Sequence, residues 1–295
     1  MSSKIKIAKA VGTVALCLVM FVSLTALTVL ATVNATLADP EALGTRLIDG
    51  ELEMAVCTSV RSALEREMMR TEIRYSDIAD VVTDDAVKER LPEAVSALTS
   101  GLFGEKSEWR YEDEALLERV RSYNKDYAVK YGIEYSESDT EAVYSMITDT
   151  ITSEMQVRAQ VYAVKAAPIM AKVKRLCGLW FIPLLVYAAA AAGVIVIDRR
   201  RMRNALHNAM MPTYFGFFTV FVVSALMYSR DYLAKTVLGN RAFQYFLRQL
   251  WNTVLGDMRT VSLVLTLIAV AAIISMAWIG RLRWSDTVKD VHCRT

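Results

Sequence analysis

Four stretches of this chain carry no ionisable charge. Ala10–Val33, Leu176–Ile197, Met211–Ser229 and Thr260–Gly280 contain no Asp, Glu, Lys, Arg or His. An α-helix of about 20 apolar residues crosses the ~30 Å hydrocarbon core of a bilayer. Backbone groups in lipid must be paired within the segment, and a helix does that unaided. The sequence therefore predicts four transmembrane helices, at residues 10–33, 176–197, 211–229 and 260–280.

Charge gives these helices a direction. The segment Val33–Val173 holds 27 of the 32 carboxylates but only 16 of the 34 Lys and Arg, a net of −11, while the rest of the chain carries +13. Basic residues crowd the ends of the apolar runs. Lys4, Lys6 and Lys9 precede the first, Arg199, Arg200, Arg201 and Arg203 follow the second, and Arg281 and Arg283 follow the fourth. Lys and Arg in short flanking segments stay on the cytoplasmic side. Both termini (1–9 and 281–295) and the basic turn 198–210 are thus expected in the cytoplasm of a multi-pass cell-membrane protein. The acidic segment 34–175 and the loop 230–259 fall outside, although that loop carries five Arg and Lys of its own. The first apolar run exceeds the ~7–15 residues of a signal-peptide core and reads as an uncleaved anchor.

The acidic segment reads as helical throughout. Val56, Val60 and Leu64 recur every fourth residue in a helix expected over about 51–70. Leu116, Val120, Tyr123 and Tyr127 mark a second, about 112–131. Tyr144, Ile147, Ile151 and Met155 mark a third that starts near Ser138 and runs without a stop signal toward Leu176, kinked at Pro168. Pro92 is expected to interrupt a shorter piece, 84–100, and Pro183 to kink the second membrane helix. Thr83 reads as an N-cap, Ser138 with Glu141 as a capping box, and Gly132 as a C-cap. The similar stretches 73–77 and 133–137 each precede an expected helix start, which their capping needs explain as well as a duplication does. The expected fold is all-α: a four-helix transmembrane bundle with an all-helical extracytoplasmic domain inserted between its first and second helices.

Within the outer loop, Phe243, Phe246, Leu250, Trp251 and Val254 share one face of a helix expected over about 241–255. Arg241, Gln244, Arg248 and Asn252 share the other. Such a helix suits the lipid interface, and the same face also suits packing against the acidic domain with its arginines on carboxylates. Trp180, Trp278 and Trp284 lie near the expected membrane boundaries as an aromatic belt. Ala189 and Gly193 have the small-xxx-small spacing that lets helices approach closely, and Ser23, Thr25, Thr28 and Thr32 read as a packing surface of the first helix.

Catalytic chemistry is thinly supplied. His207 and His292, the two histidines, fall in short segments expected inside, so no His-based triad or zinc site is expected outside. No phosphate-binding glycine loop occurs. Buried charge, which coupled carriers use, is missing from the apolar runs. The acidic clusters Asp84–Asp85 and Glu112–Asp113–Glu114 are candidate metal ligands, against the plainer reading that both begin helices. The four cysteines show no metal or redox spacing and read as free thiols. No cofactor and no nucleic-acid partner are expected. Expected partners are the lipid bilayer, a protein bound at the extracytoplasmic domain, and a second copy of the chain.

The layout of one helix, a large outer domain and three further helices resembles the FtsX/MacB class of ABC-type permease subunits. That resemblance implies a membrane subunit of a transport machine, and the short 198–210 turn departs from it. The leading expectation is a non-enzymatic protein that binds, senses or assembles through its outer domain. A transport subunit is the alternative, and a membrane-anchored hydrolase the second alternative.

Overall fold

The structure, a computed structural model, describes residues 3–69, 73–103, 109–157, 160–197, 202–230 and 240–292. Among the described residues there are ten α-helices and no strand. They are α1 (Ser3–Thr36), α2 (Pro40–Arg46), α3 (Gly50–Met68), α4 (Asp84–Leu102), α5 (Glu114–Tyr131), α6 (Glu137–Met155), α7 (Gln160–Gly178), α8 (Phe181–Ile197), α9 (Met202–Arg230) and α10 (Arg241–His292). Two compact units divide the chain. One comprises residues 1–36, 175–230 and 254–295, and the other residues 37–174 and 231–253.

The first unit is apolar on its outside. Four segments of the chain are long and apolar enough to cross a membrane, Ile7–Thr36, Pro168–Ile197, Leu206–Arg230 and Arg241–Trp278, and residues 168–174 and 241–253 of them belong to the second unit. At most 22% of the most apolar part of each is buried in the protein. Val196 is 71% exposed, and Leu18, Leu185, Leu267 and Ile274 are similarly open. Helices apolar all round bury that surface in lipid. These are the features of a membrane protein.

Inside this unit α1 packs on α8 and α9. Met20, Ala190 and Val194 form the centre of the contact, flanked by Leu16 and Tyr187. A Cβ on Gly193 would stand 3.0 Å from Leu16 Cδ1, so the missing side chain sets this approach. Ser23, Thr28 and Thr32 are buried on α1, as a packing surface requires, and the Thr28 hydroxyl returns to Leu24 O at 2.8 Å. Ala189, by contrast, is exposed, and the inward small residue is Ala190. One residue along a helix is a rotation of about 100°, so the neighbouring alanine faces a different direction. At one end of the unit Thr36 donates to Asp257 at 2.9 Å, and the Arg259 guanidinium lies 4.7 Å from the Tyr228 ring centroid.

The second unit is helical, with its core along the expected stripes. Val56, Val60 and Leu64 of α3 and Ile147, Ile151 and Met155 of α6 are buried, and α3 packs on α6. Burying each such side chain stabilises the unit by about 1.5–3 kcal/mol. Asp49, Thr83 and Asp113 cap α3, α4 and α5 by accepting backbone N–H groups. Gly132 ends α5 at φ 66°, a left-handed position that glycine occupies without strain. The short α2, with no periodic signal of its own, seats Gly44 against Ser96 of α4.

Several expectations are corrected. α4 runs through Pro92 as one helix, because the flanking Leu91, Ala94 and Val95 are all buried and hold it in register. The N-cap of α6 is Ser136, which accepts from Asp139 N at 3.3 Å, in place of Ser138. The two similar stretches differ in structure: 75–77 is a single turn of 3₁₀ helix, and 136 is a cap. Glu112 and Asp113 precede α5 instead of beginning it.

The third helix does have a stop. α6 ends at Met155, and Val157 follows at φ 49°, a left-handed position unusual for a β-branched residue. Burial of its side chain and a hydrogen bond from Asn240 Nδ2 to its carbonyl hold it there. Nor does α7 run on into α8. They are separated at Leu179–Trp180 by short-range hydrogen bonds. Pro183 then sits in the first turn of α8, where its missing N–H disturbs nothing. The helix expected over 241–255 is no separate element, being the start of the 52-residue α10.

Candidate functional site

The turn between α5 and α6 builds a cleft in the second unit. Tyr123 and Tyr127, four residues apart on α5, present rings on one side of the helix. Gly132 reverses the chain, with Ile133 N bonded back to Ala128 O at 3.1 Å. Tyr135 then arrives just before the Ser136 cap. These residues apart from Gly132, with Ile73, Asn124, Glu134, Asp139 and Val143, line a cleft of about 210 Å³.

Its walls are tied by a chain of hydrogen bonds. Asn124 Nδ2 donates to Thr140 Oγ1 at 3.0 Å, and Thr140 Oγ1 donates to the Tyr135 hydroxyl at 3.3 Å. Tyr135 donates in turn to Glu137, which also receives Arg121 at 2.8 Å. The Tyr135 hydroxyl, and then Arg121, hold the Glu137 carboxyl below its ordinary pKa, so it stays ionised. Lys125 Nζ stands 5.6 Å from the Tyr135 ring centroid. Ile133 of the lining is more than half exposed, as is Tyr131 at the end of α5, and Val129 on the same helix is 84% exposed.

Asp84, Asp85 and Asp113 of the acidic clusters have structural employment. Asp84 pairs with Arg61 through both carboxylate oxygens, at 3.0 and 3.1 Å, and Asp85 lies 3.9 Å from Lys88. Asp113 caps α5 and accepts from the Tyr111 hydroxyl at 3.1 Å, next to Glu112 and Glu114. Among the described residues no group of three His, Cys, Asp or Glu is placed to hold a metal ion.

The other sequence-predicted residues are dispersed. Phe243 and Phe246 are buried, Leu250 and Trp251 are half-buried, and Trp251 Nε1 is a buried donor with no hydrogen-bond partner among the described residues. Arg248 pairs with Glu51 at 2.9 Å, and Gln249 donates to Asp49. So one residue of the arginine face, Arg248, meets a carboxylate of the acidic unit. Trp180 lies in the α7–α8 turn and Trp278 is 66% exposed. Arg199, Arg200 and Arg201 lie outside the described residues. Arg203 falls on α9, and Arg281, Arg283 and Trp284 fall on α10.

The tyrosine cleft was not singled out from sequence. Tyr123 and Tyr127 read there as core positions, yet both are only half-buried. The available signal was tyrosine where a core helix carries leucine, followed by Gly132 and a third tyrosine.

Compared with known proteins, the chain matches no family model, no curated protein and no solved structure.

Proposed function

We propose that this chain is a non-enzymatic multi-pass protein of the cell membrane that binds a partner through its acidic helical unit. In this reading residues 34–175 lie outside the cytoplasm and both termini lie within it. The observation that supports it best is the aromatic cleft, lined in part by the exposed Ile133, at the end of a helix that also exposes Val129 and Tyr131, on a segment of net charge −11. The segregated charge supports the orientation.

Two measurements test the reading. An impermeant thiol reagent should label Ser122→Cys in intact cells and leave Thr287→Cys untouched. A native pull-down in mild detergent, read by mass spectrometry, should recover a partner with the wild type and lose it with Val129→Glu/Ile133→Glu. Equal recovery by both removes this surface from the proposal, and a co-purifying cytoplasmic ATPase would favour a transport subunit instead.

A further inference from the structure

We infer that the cleft between Tyr123, Tyr127 and Tyr135 binds an organic ammonium group. The inference deepens the binding role proposed above and rests on it. Three features converge. Aromatic ring faces carry negative electrostatic potential and attract ammonium groups. Three tyrosines line a space of about 210 Å³, room for an alkylated ammonium head. One of these rings already accepts such a group, since Lys125 Nζ lies 5.6 Å from the Tyr135 centroid.

Charge makes the same selection. Glu134 and Asp139 line the cleft, are exposed, and have no ion-pair partner among the described residues. In the larger cleft lined by α3 and the start of α10, about 870 Å³, Asp49 and Glu51 are already engaged by Gln249 and Arg248. The −11 charge of the surrounding segment raises the local concentration of cations. The Asn124–Thr140–Tyr135–Glu137 chain fixes the Tyr135 ring before any ligand arrives, which lowers the ordering cost of binding.

The test uses the full chain in detergent micelles and isothermal titration calorimetry. Three probes are compared: choline, a trimethyl-lysine peptide, and 3,3-dimethylbutanol, the neutral carbon analogue of choline. Choline or the peptide should bind at least about fivefold more tightly than the neutral alcohol. Binding should weaken with added salt. Tyr127→Phe, which keeps the ring, should bind as the wild type does. Tyr127→Leu, checked for unchanged helix content, should bind about fivefold more weakly. Preference between the two ammonium probes separates a free quaternary amine from a lysine side chain as the source. Equal binding of the neutral alcohol overturns the inference, as does binding by Tyr127→Leu equal to wild type, or no binding of either ammonium probe. Those failures leave the pull-down result unaffected, so the ammonium inference and the broader binding role fail separately.

Discussion

Ser59 on α3 donates a 2.6 Å hydrogen bond to Glu154 Oε2 on α6, and Glu154 is only 2% exposed. This hydrogen bond joins α3 to α6 within the acidic unit. Ser59→Ala deprives a buried carboxylate of a donor and should lower unfolding free energy by about 1.5–3 kcal/mol. Ser62→Ala, one turn along and exposed, should change it by less than about 0.5 kcal/mol. Denaturant unfolding followed by far-ultraviolet circular dichroism measures both.

Gly44 and Gly101 should respond to alanine in opposite directions. A Cβ on Gly44 would stand 2.6 Å from Ser96 Cα and 2.9 Å from Ser96 N, against backbone that cannot yield cheaply. Gly44→Ala should therefore cost about 1–3 kcal/mol by forcing α2 off α4. Gly101 has nothing within 4 Å of the same atom. Gly101→Ala should leave stability unchanged or raise it by up to about 1 kcal/mol through helix propensity. Paired melting curves decide this.

Tyr111 predicts an alkaline limit to stability. It is 2% exposed, and burial, then the charge of Asp113, push its phenol above the ordinary pKa. In the unfolded chain a tyrosine ionises near pH ~10. A pKa raised by folding stabilises the protein fully below that unfolded value, and this contribution is lost as pH rises toward the folded one. Stability should thus fall from about pH 10 upward. Tyr111→Phe should flatten the fall and remove a late step from the tyrosinate absorbance titration.

Cys57 should be inert while the chain is folded. It is buried, its thiol lies 3.7 Å from Asp84 O, and burial followed by Asp84 raises its pKa. Thiolate is the reactive form, and little of it exists at neutral pH. Cys57 and Cys177 are both free thiols. An alkylating reagent should modify Cys57 at least about tenfold faster in denaturant than in buffer, with mass spectrometry reading the modified peptide.

Much of the architecture was legible because its causes are local. Thr83 and Gly132 mark helix ends through the hydrogen bonds of one residue and its near neighbours. Val56, Val60 and Leu64 repeat at the helical period and are buried. The end of α6 was not legible. Val157 is held left-handed by its own burial and by Asn240, a residue 83 positions away. Pro92 misled for the same reason, since a locally unfavourable residue is carried by the packing of its neighbours. The cleft escaped because half-burial of Tyr123 and Tyr127 depends on what covers α5, which periodicity cannot express.

Sequence by itself determined that this chain is helical and has four segments able to cross a membrane. It also determined that acid and base are segregated along the chain. Hydropathy, helical period and charge sum along the chain without reference to distant residues. Tertiary structure alone decided which face of each helix is covered. It chose Ala190 over Ala189 against α1, set Arg248 on Glu51, and joined Tyr123, Tyr127 and Tyr135 around one space. Those outcomes depend on contacts between residues far apart in sequence, where a rotation of one residue, about 100°, changes the partner.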